Sequence, residues 1–244
     1  MSKRPKRLPA KVSVAAIALT AAANIAANRL LPPGAAIPAN LGAAGLLTWF
    51  ARREGATWSD MGMEPSKLPS GIKWGLKASV PIVAVVAVGV AIPATRQFFA
   101  DEQIVGASTG DVLFEVLFKI PIGTALAEEI LFRGALLGIF ERRRSRRVAD
   151  ALSGLMYGLW HVLPTINQLD TNPAGNVVGS STLAKTGVVG GIVLLTAAAG
   201  YGFALLRDKS ESVAAPVIAH TALNVSAYLG GRVAAGVLGI SLGP

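Results

Sequence analysis

Seven apolar stretches, most of them close to the length that crosses a bilayer, divide this 244-residue chain and leave only short polar connections between them. A spanning helix needs about 20 mainly apolar residues, and lipid offers no partner to a backbone N–H or C=O. A chain patterned this way is expected to fold as helices. Hydrophobic residues make up 52% and charged residues 15%, with a mean hydropathy of +0.53, which leaves little for a soluble domain. The expected fold is all-α, a polytopic transmembrane helix bundle of about seven spans forming one integral membrane domain over residues 1–244.

The spans are expected at about 12–27, 39–51, 75–94, 112–141, 148–163, 183–206 and 213–229. Ala21-Ala22-Ala23 resembles a signal cleavage site, but a polytopic protein needs no removable leader, so the first span is read as uncleaved. Residues 52–77 read as a loop with a short interfacial helix, and Trp58 and Trp74 suit a membrane interface. Pro164 is expected to end the fifth span, ahead of a polar loop with Asn167, Asp170, Asn172 and Asn176. Gly187 and Gly191 are spaced for close helix packing, and Pro216 for a kink. The tail, 232–244, is too short to span and reads as re-entrant or interfacial.

The formal charge of +9 does not point to nucleic acid, because the basic residues sit in short loops without interleaved aromatics. Of the 23 Lys and Arg, all but Arg29, Arg96, Lys119, Arg133, Lys185 and Arg232 fall in the N-terminal segment and alternate loops. That asymmetry predicts a multi-pass cell-membrane protein with its N-terminus in the cytoplasm. No cysteine is present, which excludes disulfides, thiolate catalysis and Cys-ligated zinc.

Against this background Glu128, Glu129 and Arg133 stand out, three charges in the middle of an apolar segment. A charge at mid-membrane costs about 2.5 to 3.5 kcal/mol on insertion scales, so such groups face a polar cavity, find partners and serve function. On one helix Glu129 and Arg133 lie one turn apart in the favourable acid-before-base order, with Glu128 about 100° away. Glu129 is expected to pair with Arg133, leaving Glu128 free for chemistry. An ion cluster that only fixes packing is the structural alternative.

The two histidines, His161 and His220, also lie in apolar segments. Measured from the inner ends of their helices at 1.5 Å per residue, Glu128, His161 and His220 lie roughly 15 to 20 Å deep and can meet at one level. Asn224 is one turn beyond His220 on the same face. A carboxylate, two imidazoles, a carboxamide and a guanidinium at one depth suit water-dependent amide cleavage, which needs a base, an oxyanion donor and an acid for the leaving amine. No serine nucleophile accompanies them.

Three motifs carry a specific likeness: Glu128-Glu129 with Arg133, Tyr157 four residues before His161, and His220 four residues before Asn224. Together they resemble the ordered motifs of the CPBP family, the CAAX proteases and bacteriocin-processing enzymes, over about residues 55–229; residues 1–54 would be additional N-terminal spans. The likeness includes the lead-in Trp58-x-x-Met61-Gly62 and Ala214-Ala215-Pro216. It implies an intramembrane endopeptidase with its active site between the fourth, fifth and seventh spans, acting on a membrane-embedded or lipid-anchored protein. Glu128 and His161 would activate water, His220 and Asn224 would stabilise the oxyanion, and Glu129, Arg133 and Tyr157 would support the site or position the substrate. Tyr157 stands where the family usually has Phe, so its hydroxyl needs a partner.

Two chemistries remain open at this point. No cofactor is expected, but Glu128, His161 and His220 offer the ligand set of a three-coordinate zinc site with an open position. Other function classes are a non-catalytic bacteriocin-immunity or scaffolding protein of the same fold, and a proton-coupled transporter. The absence of a duplicated half with paired broken helices counts against the transporter.

Overall fold

In the computed structural model, which describes residues 8–96, 99, 107–171 and 181–236, the apolar stretches are helical and the described residues contain no strand. Helix α1 is Ala10–Ile25 and runs on in wider turns through Ala26–Leu30. Then come α2, Ala36–Arg53, and α3, Leu68–Ala91. Helix α4 covers residues 109–141, from Thr109–Phe114 to Leu137–Glu141. It is followed by α5, Arg146–Trp160; α6, Val162–Thr171; α7, Thr182–Ser210; and α8, Ala214–Ala234.

Helix α4 is the axis of the bundle. Leu131, Phe132, Ala135, Leu136, Leu137, Ile139 and Phe140 are all buried, so its second half is covered on every side, as an all-round apolar helix requires. It packs against α2, α5, α7 and α8, while α3 lies along α8 and α5 along α7. The outer helices reverse this pattern. Val80 and Val85 of α3 are 71% and 72% exposed, and Leu183 and Leu194 of α7 are 84% and 73% exposed. An apolar belt of that extent marks a surface that faces lipid rather than water. Three helical segments, Ala10–Leu30, Pro65–Ala91 and Thr182–Ser210, are long and apolar enough to cross a membrane by length and composition. The chain is a helical membrane protein.

Several local expectations are corrected. The 65–67 turn runs directly into α3, so no separate interfacial helix precedes the third span. Pro164 does not end the fifth span. The helix breaks at His161 instead, and Pro164 sits in the first turn of α6, where its missing N–H has no intrahelical partner to lose. Asn167 and Asp170 therefore lie on a helix; Asn172 and Asn176, and the tail beyond 236, lie outside the described residues. Pro216 likewise falls in the first turn of α8 and kinks nothing.

Gly187 and Gly191 do not mediate packing, since a Cβ at either would meet nothing within 4 Å. Close approach is instead made by α5, where a Cβ on Gly154 would lie 2.8 Å from the Ala197 carbonyl oxygen and one on Gly158 would lie 2.5 Å from that of Val193. Small residues let two backbones touch, and here they press α5 onto α7.

Helix α4 does not keep a constant 100° per residue. Its backbone bonds reach five residues ahead through Glu115–Leu126 and again through Ile130–Leu136, with a short α turn at Ala127–Glu129 between them. Pro121 lies in the first wide stretch and contributes no N–H. Wide turns of this kind interrupt helices most often at functional sites.

Candidate active site

Glu129 and Arg133, both fully buried, pair across one turn of α4 with Arg133 Nη1 3.2 Å from Glu129 Oε1. The same carboxylate oxygen accepts from His220 Nδ1 of α8 at 2.9 Å. A carboxylate only accepts, so Nδ1 carries a proton, and in the neutral imidazole Nε2 is the acceptor. Nε2 faces the Asn224 amide nitrogen at 3.1 Å and the Tyr157 hydroxyl at 3.3 Å. The extra hydroxyl of Tyr157 thus has its partner in His220.

Aromatic rings complete this shell. Arg133 lies 4.2 Å from the Tyr157 ring centroid and 5.4 Å from that of Phe203, and Phe203 stacks on His220 at 5.3 Å. Gly200 makes room for the guanidinium, since a Cβ there would lie 2.9 Å from Nη2. Among the described residues Arg133 spends one of its nitrogens on a hydrogen bond, and Nε and Nη2 have no such partner. The rings offset part of that cost through their π faces.

Glu128 points elsewhere. Its Oε1 accepts from the indole N–H of Trp160 at 3.2 Å, and its buried Oε2 has no hydrogen-bond partner among the described residues. Trp160 was not among the sequence-predicted site residues. The available signal was its place beside His161, one residue before the helix break. Phe132 fixes the indole edge-on, with ring centroids 5.5 Å apart, and packs in the same manner on Tyr157.

His161 ends α5, and its Nδ1 donates to the Tyr157 carbonyl at 2.8 Å. A carbonyl cannot donate, so the proton is on Nδ1, and the Nε2 lone pair has no partner among the described residues. The ring packs edge-on against Tyr157 at 4.6 Å. Glu129, Arg133, Tyr157, His220 and Asn224 therefore form one directly bonded or stacked cluster. Glu128 adjoins it at Tyr157 and through Trp160 and Phe132, and His161 adjoins it through Tyr157. Among the described residues, no hydrogen bond links Glu128 to either imidazole.

Among the described residues the one group of three His, Cys, Asp or Glu with ligand atoms within 4.8 Å of one another is Glu141, Asp150 and Asp208, and Glu128, His161 and His220 are spaced more widely. Both nitrogens of His220 are also engaged by protein groups.

A loop braces α4 below the site. Met61 is fully buried, and Gly134 and Gly138 admit the loop, since a Cβ on Gly138 would lie 2.9 Å from the Asp60 carbonyl oxygen. Gly62 has φ +65°, in the left-handed region that favours glycine, and its carbonyl accepts from Val213 N at 2.8 Å at the start of α8. Arg142 donates to the Gly55 carbonyl and Arg207 to that of Asp60. Lys67 pairs with Glu211 on the surface, and this hydrogen bond draws the Glu211 carboxyl below the ordinary range. The lead-in Trp58-x-x-Met61-Gly62 is thus a strap joining α4 to α7 and α8.

A family model described as type II CAAX prenyl endopeptidase Rce1-like matches residues 111–226, a stretch that contains every residue of the cluster. No curated protein and no solved structure gives a match.

Proposed function

The chain belongs to the CPBP family of CAAX proteases, and from that premise we propose that it is an intramembrane endopeptidase that hydrolyses a membrane-embedded or lipid-anchored protein with water activated by Glu128. The observation that carries this reading is the division between the two glutamates. Glu129 is spent on Arg133 and His220, whereas Glu128 is held by Trp160 at one oxygen and keeps the other uncommitted.

In this reading Glu128 Oε2 takes a proton from water as the water oxygen adds to the scissile carbonyl carbon, with the His161 Nε2 lone pair positioning the second water hydrogen. Asn224 has a second amide hydrogen beyond the one given to His220, and it donates to the oxyanion. His220, held by Glu129 through Nδ1, fixes the Asn224 amide through its Nε2 acceptor and so supports the oxyanion site. The C–N bond then breaks, and Glu128 returns its proton to the leaving amine. The engaged nitrogens of His220 and the spacing of the ligand atoms support a reaction without a metal cofactor.

The basic loops support a multi-pass chain of about seven spans with its N-terminus in the cytoplasm and substrate drawn from the inner leaflet. The partners are the bilayer and a membrane peptide or lipidated protein, with no nucleic acid. The experiment is a comparison of membrane proteomes from cells carrying wild-type protein and Glu128→Gln. A peptide end present only with wild type is the expected result. Full processing by Glu128→Gln would overturn the role of Glu128, and no change in any peptide despite normal folding would favour a non-catalytic immunity or scaffolding protein.

A further inference from the structure

A second polar cluster lies at the basic ends of α4, α5 and α7, apart from the site above. Glu141, Asp150 and Asp208 place carboxylate oxygens within 4.8 Å of one another. Arg207 Nη1 binds Glu141 at 3.0 Å and Asp208 at 3.1 Å, and it is itself nearly buried. Arg146 reaches Asp208 at 3.2 Å and Glu141 at only 3.7 Å, and its side chain is 68% exposed.

Asp150 is the unusual member. It is 1% exposed, and among the described residues it has no ion pair and its Oδ1 has no hydrogen-bond partner. An ionised carboxylate buried in that condition is costly unless a cation compensates it. The exposed Arg146 can turn out into water at little cost. Three carboxylates and Arg207 then remain, with a net charge of two negatives, which one divalent ion neutralises. Oxygen ligands about 2.4 Å from a shared ion lie at most about 4.8 Å apart across it, which suits the spacing here. The donors are all carboxylate oxygens with no nitrogen or sulfur, the set preferred by calcium and manganese over zinc.

We propose that Glu141, Asp150 and Asp208 form a binding site for one hard divalent cation, with Arg146 as a displaceable gate. The ion would tie together the ends of α4, α5 and α7. Glu141 lies 13 residues along α4 from Glu128, about 20 Å at 1.5 Å per residue, so the cation takes no part in peptide hydrolysis. The proposal is independent of the proteolytic reading. It also means that cation content or chelator sensitivity of the purified protein says nothing by itself about metal in the active site.

The test uses the full-length protein in detergent, treated with chelator and then titrated with calcium or manganese chloride at constant ionic strength. Bound cation is measured by equilibrium dialysis and stability by melting temperature. Wild type is expected to bind about one equivalent and to melt at a saturably higher temperature. Asp150→Asn keeps the shape and loses the charge, so it should melt no lower than wild type before cation is added and bind at least about ten-fold more weakly. Arg146→Gln removes the competing guanidinium and should bind more tightly. No saturable binding of either ion by wild type at millimolar concentration would overturn the site and leave Asp150 to be neutralised by a proton. Unchanged binding by Asp150→Asn, weaker binding by Arg146→Gln, or loss of binding in Glu128→Gln would each overturn it as well.

Discussion

Replacing Glu129 with Gln separates support from chemistry in the proposed site. Glu129 Oε1 is shared by Arg133 at 3.2 Å and His220 at 2.9 Å, and none of the three side chains is more than 3% exposed. Gln keeps an acceptor for one of them but removes the negative charge. Breaking a buried pair by neutralising one partner costs about 3–5 kcal/mol, because the other charge is left uncompensated. Arg133 is poorly placed to recover, since two of its nitrogens already lack hydrogen-bond partners. In a chain of this size each kcal/mol moves the melting temperature by about 2–4 °C, so the expected loss is roughly 6 to 20 °C. Glu128→Gln should stay within about 1 kcal/mol of wild type, because a Gln oxygen can still accept from Trp160. Scanning fluorimetry of both variants in the same detergent provides the comparison. Glu129→Gln paired with Arg133→Met should recover much of the loss, as apolar replacement of a whole buried pair often does. A melting temperature for Glu129→Gln equal to that of Glu128→Gln would refute the division of labour.

Trp160→Phe keeps the aromatic stack on Phe132 but deletes the indole N–H, so turnover should fall by about 10- to 100-fold with little change in substrate binding; a change confined to KM would assign Trp160 to the substrate instead. Gly158→Ala forces a Cβ to 2.5 Å from the Val193 carbonyl oxygen and should destabilise the protein by about 1–3 kcal/mol, whereas Gly187→Ala should leave the melting temperature unchanged or raise it. Equal effects in that pair would contradict the packing of α5 on α7.

By itself, the sequence determined the helical membrane class, because long apolar runs with few charges have few other stable forms in lipid. It also determined the pairing of Glu129 with Arg133, a contact local to one helix and therefore readable from a spacing of four. The motif residues of α4, α5 and α8 were readable as candidates because charges and imidazoles are rare in apolar segments. Other features arise between helices and have no signature in spacing. Gly187 and Gly191 looked like packing residues and face open space, while Gly154 and Gly158 do the packing, because only the rotation of a helix decides which of its faces meets a neighbour. Trp160 was invisible as a ligand of Glu128 for the same reason. The sharing of Glu129 by Arg133 and His220 depends on α8 crossing α4, and the convergence of Glu141, Asp150 and Asp208 depends on α4, α5 and α7 meeting at fixed angles. Hydropathy fixes how long a helix is and which medium it prefers, but the contacts that orient side chains between helices are set by side-chain shape across the bundle, and that information exists only once the chain is packed.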